Sequence, residues 1–147
     1  MPSGSRWELT PRQSVEQECA HRGTAEVVAG CVELLAGRDA DAPLVYALGG
    51  PAAAAVLGPH PYRDQRYFLR VWGARGLLYA WDDSARDAVC AALADESWRV
   101  REMAAKVAAK RGLGEALSTV AGMQHDPVPR VRAAAARATA ILTASGA

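Results

Sequence analysis

Lysine is nearly missing from this chain. Lys106 and Lys110 are the only two, so arginine supplies almost all of the 17 basic residues. Sixteen acidic residues oppose them, and the net charge of +1 excludes a polycation that holds nucleic acid through bulk charge. Any anion-binding surface must therefore come from local clustering. Aromatics are also scarce: they make up 6% of a chain that is half hydrophobic, which leaves Ala, Val and Leu to build the interior. Small side chains let helices approach closely and Ala is the best helix former, so the composition favours packed helices over sheets. The excess of Arg over Lys and the heavy use of Ala match a high-GC bacterial genome.

Long apolar runs are missing too. The first residues, Met1 to Trp7, contain no apolar region of the kind a secretory signal needs. The run from Ala52 to Gly58 stops at Pro59, far short of the ~20 residues that span a bilayer. Cys19, Cys31 and Cys90 are odd in number, lack C-x-x-C spacing and sit among apolar neighbours. They read as reduced core thiols, for which the cytoplasm is the natural compartment. His21, His60 and His125 are scattered without metal-ligand spacing, so neither zinc nor another cofactor is expected. No phosphate loop and no nucleophile motif occurs, and the adjacent carboxylates Asp82 and Asp83 read as solvated loop charges. The sequence offers no catalytic residue.

What is present is a repeat, in a chain whose 147 residues suit a single domain. Asp64, Asp95 and Asp126 are 31 residues apart. The same offset relates Leu69, Val100 and Val131, then Arg70, Arg101 and Arg132. It also relates Ala74, Ala105 and Ala136, then Arg75, Lys106 and Arg137. Five kinds of position kept in one register through three blocks identify repeated supersecondary units. Inside a block the apolar spacing is helical: Val100, Met103, Ala104 and Val107 share a face, as do Val131, Ala134, Ala135 and Ala138. Gly112 after Lys110 and Arg111 marks a helix end, Pro11 and Pro129 suit first turns, and Ser84 and Ser97 suit N-caps. The pattern predicts helices near 11–21, 24–37, 43–49, 51–58, 65–80, 84–94, 97–111, 114–125 and 128–144. From residue 51 on, these pair as antiparallel hairpins: 51–58 with 65–80, 84–94 with 97–111, and 114–125 with 128–144.

A turn Asp placed six residues before an Arg that follows an aliphatic residue resembles the HEAT-repeat family. It is closest to the short bacterial repeats also found in phycobilisome-lyase-type proteins. The pattern is carried by Asp64/Leu69/Arg70, Asp95/Val100/Arg101 and Asp126/Val131/Arg132. The resemblance implies an all-α solenoid of stacked antiparallel hairpins with a repeat of about 31 residues. Residues 51–144 would form three regular units and residues 1–50 degenerate capping units of one domain, 1–147. In residues 1–50, Asp41 stands at a turn position but Ala47 occupies the place of the Arg. The resemblance also implies that the Asp/Arg series stitches turn to turn, so Asp64, Arg70, Asp95, Arg101, Asp126 and Arg132 are read as structural.

Two features remain as candidate binding surfaces. Lys106 lies on the side of its helix away from Arg101, with Arg99 and Arg130 on the same side. The second helices of HEAT units line the concave surface, so the resemblance places Arg75, Arg99, Lys106, Arg130 and Arg137 along one edge of a groove. That edge is either a phosphate-tracking stripe or a solvated face partly neutralised by Glu96 and Glu102. The aromatics cluster as Tyr62, Tyr67, Phe68, Trp72, Tyr79 and Trp81, with Trp98 opening the next second helix. Trp72 aligns with Met103 and Ala134 and reads as core. Tyr67 and Val71 fall on the opposite side, where they are either covered by the N-terminal segment around Trp7 or exposed as a docking patch. The expected function is a non-enzymatic interaction module holding a protein partner, with Tyr67, Phe68 and Trp98 as anchors. The alternative is nucleic-acid binding along the basic edge, related at fold level to HEAT-like DNA glycosylases, whose catalytic pocket has no counterpart here. A chromophore-lyase role follows only from the lyase-type resemblance.

Overall fold

The computed structural model describes residues 9–58 and 66–146; Trp7, His60, Tyr62 and Asp64 lie outside them. Among the described residues there are nine α-helices and no strand. They are α1 (Pro11–Arg22), α2 (Thr24–Leu35), α3 (Ala42–Gly49), α4 (Ala52–Leu57), α5 (Tyr67–Gly76), α6 (Arg86–Ala92), α7 (Trp98–Lys110), α8 (Leu117–Gly122) and α9 (Pro129–Ser145). Single 3-10 turns precede α6 and α8 and follow α8. The fold is an all-α solenoid. None of the helices is long and apolar enough to cross a membrane. The chain divides into two compact units, Met1–Ala85 and Arg86–Ala147.

In the first unit, α1 opens with a reciprocal cap: Thr10 Oγ1 accepts from the Gln13 amide at 3.1 Å, and Gln13 Oε1 accepts from the Thr10 amide at 3.0 Å. Pro11 occupies the first turn, where its missing N–H costs nothing. Helix α5 packs chiefly against α2 and α3, whereas α4 rests on α3. The expected hairpin of 51–58 with 65–80 is therefore not the main packing of α5. The reason lies in α5's glycines. A Cβ on Gly73 would stand 2.7 Å from the Cys31 carbonyl oxygen, and one on Gly76 would stand 2.6 Å from Cys31 Sγ. Bare backbone on α5 lies directly against α2, an approach that no larger residue permits. The contact partner of these glycines is α2, with Leu48 beside Gly76. Trp72 is core, 5% exposed, and its ring lies so close to Gly49 that a Cβ there would be 2.6 Å away. Cys31 is fully buried, and burial, with Cys19 nearby, pushes its thiol up to about 12, so it serves as a small core residue.

In the second unit, α6 and α7 form one hairpin, α8 and α9 the next, and α7 lies along α9. Val89, Val100, Ala104, Val107, Val120, Val131, Ala135 and Ala138 are all wholly buried, so Val and Ala build much of the core, with Leu93, Leu113 and Leu142 beside them. Met103 and Ala134 sit half-buried at its margin. Gly112 closes α7 at φ +64°, a left-handed conformation suited to glycine. Ser97 stands at the N-cap of α7 with extended backbone, but its hydroxyl makes no capping bond. The cap comes from two residues earlier: Asp95 Oδ1 accepts from the Ser97 amide at 2.8 Å. Asp126 Oδ1 does the same for the Val128 amide at 2.9 Å, so one Asx-type turn starts both α7 and α9. Ser84 likewise donates its amide to Asp82 Oδ1 at 2.9 Å rather than capping a helix itself.

Candidate functional site

The turn carboxylates set the stage. Arg101 donates Nε and Nη2 to the two oxygens of Asp126 at 2.8 and 3.1 Å, a bidentate pair that is 16% and 8% exposed. Its Nη1 donates to the carbonyls of Asp95 and Glu96 at 2.9 and 3.2 Å. One guanidinium thus closes its own turn and holds the next. The Arg101 hydrogen bonds hold the Asp126 carboxyl below the usual carboxylate range. Arg132 repeats the first half, donating Nη1 to the carbonyls of Asp126 and Pro127 at 2.8 and 3.2 Å. In the first unit Arg22 donates to both oxygens of Asp41 at 2.8 and 3.1 Å, while Asp41 also accepts from the Leu44 amide. Arg22 therefore supplies the guanidinium that Ala47 cannot. Arg70 is half-buried on α5.

Because the same turn begins α7 and α9, Trp98 and Arg99 stand one repeat away from Pro129 and Arg130, at matching places on adjacent helices. The half-buried indole of Trp98 meets two guanidinium groups, Arg99 at 4.5 Å and Arg130 at 5.4 Å from the ring centroid. Arg130 also donates Nε to Glu102 Oε2 at 3.0 Å, and Lys106 Nζ approaches the same oxygen at 3.8 Å. Glu102 is itself buried, 9% exposed, on the α7 face turned toward α9. Between the helices runs a groove of about 260 Å³ lined by Glu102, Lys106, Arg130, Ala133, Ala134 and Arg137. Its lining combines three cations, the Glu102 carboxylate and two alanines.

The structure therefore brings together five of the residues read from the sequence, Trp98, Arg99, Lys106, Arg130 and Arg137, around a sixth, Glu102, read only as a neutralising charge. A signal for Glu102 existed: its aligned positions are Val71 and Ala133, so a glutamate there occupies an apolar slot. Arg75 is placed differently from an exposed edge. It is half-buried and donates to the Leu48 carbonyl at the end of α3, and burial pulls its pKa below the ordinary guanidinium range. It acts there as a C-terminal cap. Tyr67, Phe68 and Val71 are each half-buried on α5, with Tyr67 and Phe68 stacked at 4.5 Å and Phe68 and Trp72 at 6.0 Å.

A larger cavity of about 350 Å³ in the first unit lies among Leu34, Gly37, Arg38, Asp39, Arg66, Leu69 and Arg70, a site the repeat pattern does not reveal. Its arginines meet acidic groups of their own: Asp39 shares the wall and Glu33 pairs with Arg38. No group of three His, Cys, Asp or Glu side chains among the described residues is arranged to hold a metal ion. A family model for HEAT repeats matches residues 62–140, more than half of the chain. Neither a curated protein nor a solved structure matches the sequence.

Proposed function

The chain belongs to the HEAT-repeat family, and from that premise we propose that it is a non-enzymatic interaction module that docks a protein partner on the α7/α9 face. HEAT repeats generally mediate protein interactions or scaffolding, offering rigid helices as a binding surface that needs no special motif. The observation that carries the reading is Trp98. A large aromatic side chain, held in place by Arg99 and Arg130 yet only half-buried, has the character of an interface anchor. Its position is set by the Asp95 turn that opens α7, so it is presented from the first turn of a helix.

Replacing Trp98 with Ala should leave the fold intact and cost partner affinity ~2 kcal/mol or more. The measurement is partner capture from the native host by tagged wild type and variant, with melting curves run in parallel. Undiminished capture by the Trp98→Ala protein would remove the anchor and the reading with it.

A second reading, nucleic-acid binding, is favoured by the charge of residues 86–147, where nine basic residues face six acidic ones. Opposing it is Glu102, a buried carboxylate that pairs with Arg130 and Lys106 and neutralises part of their charge. A phosphate-tracking surface predicts affinity for duplex DNA that falls steeply with salt and weakens evenly as Arg99, Lys106, Arg130 or Arg137 is removed.

A further inference from the structure

Resting on the docking reading above, we propose that the α7/α9 groove recognises an acidic linear segment of the partner, in which two carboxylates flank one apolar side chain. The groove's geometry sets each part of that pattern. Arg130 and Arg137 lie seven positions apart on α9, about 10 Å along the helix axis at 1.5 Å per residue. The outer residues of a three-residue extended segment stand about 7 Å apart, and the long Arg and Glu side chains reach across the difference. Ala133 and Ala134 lie between the two arginines and leave room for an apolar side chain over them.

Charge complementarity chooses the flanks. Arg137 is exposed and has no ion-pair partner among the described residues, so its planar fork is available to a carboxylate. Arg130 is two-thirds exposed and bonds Glu102 through Nε, so its Nη groups are accessible to a second carboxylate. Lys106 already balances Glu102 in part, so an incoming carboxylate at Arg130 need not displace the buried pair. A continuous row of phosphates fits less well than two separated carboxylates, because the lining also holds the Glu102 carboxylate. A basic or neutral segment has nothing to pair with Arg137.

The test uses the full-length chain and labelled synthetic peptides followed by fluorescence anisotropy at about 50 mM salt, where screening is modest. The probes are a peptide with a Glu-Leu-Glu core, its Gln-Leu-Gln and Lys-Leu-Lys counterparts, and a short DNA duplex. The expected result is tightest binding of the acidic peptide, by about tenfold over the glutamine version. Arg137→Ala and Arg130→Ala should each weaken it about fivefold, and Ala133→Glu, at an exposed position lining the groove, should abolish it. Circular dichroism melts establish that each variant is folded. Equal binding of the acidic and glutamine peptides, or indifference to Arg137→Ala and Ala133→Glu, overturns the proposal. So does a duplex that displaces the acidic peptide, an outcome that assigns the face to nucleic acid. If cellular partner capture depends on Trp98 but the acidic peptide does not compete with it, the docking reading stands and the acidic specificity falls.

Discussion

Arg101 divides its guanidinium between two turns, and that division sets its energetic weight. Two of its nitrogens meet a nearly buried carboxylate and the third meets two carbonyls, so truncation leaves several acceptors without a donor. Arg101→Ala should cost ~1.5–3 kcal/mol of stability, read from denaturant or thermal melts. Asp126→Asn should cost less, because an amide oxygen at the Oδ1 place still accepts from the Val128 amide and from Arg101 Nη2. The same pair dictates an acid response. Asp126, Asp41 and Glu115 are all held below their ordinary values by arginine hydrogen bonds, Glu115 at about 2. A carboxylate depressed in the folded state stabilises fully above its unfolded value of about 4 and loses that contribution as pH falls through the folded value. The melting temperature should therefore be flat from about pH 7 to 5 and fall below about pH 4. In Arg101→Ala the fall should be shallower, since Asp126 would then titrate near its unfolded value. Arg101 and Asp126 were legible because their spacing repeats. Glu102 was legible only as a charge, since the wheel of one helix does not reveal that Arg130 of α9 joins Lys106 in pairing with it.

At the scale of elements, spacing located the helices to within a few residues, and it could not say which helix each would touch. Periodicity marks the face a helix buries; the partner is decided by how closely two backbones fit. Gly73 and Gly76 pressed on α2 are the clearest case, and they yield a graded prediction. At Gly73 the obstructing atoms are backbone, the Cys31 carbonyl at 2.7 Å and the Leu35 nitrogen at 3.1 Å, which cannot step aside. Gly73→Ala should cost ~2–3 kcal/mol despite alanine's better helix propensity. At Gly76 the obstructions are side-chain atoms, Cys31 Sγ at 2.6 Å and Leu48 Cδ2 at 2.8 Å, which can rotate. Gly76→Ala should cost about 1 kcal/mol less than Gly73→Ala, a difference that paired denaturant melts resolve. The Arg22–Asp41 pair was missed for a similar reason. It joins residues 19 apart, so no 31-residue register points to it.

Over the whole molecule, near-neutrality conceals a split. Residues 86–147 carry three more basic than acidic groups, while residues 1–85 carry ten acidic against eight basic. The proposed face belongs to the basic part, so partner binding should weaken with salt even though the chain is almost uncharged. Arg101 reaches forward to the aspartate of the following unit, which gives these two units a direction as well as a period. Arg132 completes its own turn, and no carboxylate meets its remaining nitrogens among the described residues. It is an open socket. A second copy of residues 98–128, spliced between Val128 and Pro129, would carry its own Arg101 and Asp126 and so repeat the bridge once more. The lengthened protein should fold, gain helical signal in proportion to the added residues, and melt higher than the parent because one more interface of the α7/α9 type is formed. A lower melting point would mean that the two existing hairpins fit only each other, and that the period is a resemblance between units without being a rule for joining them.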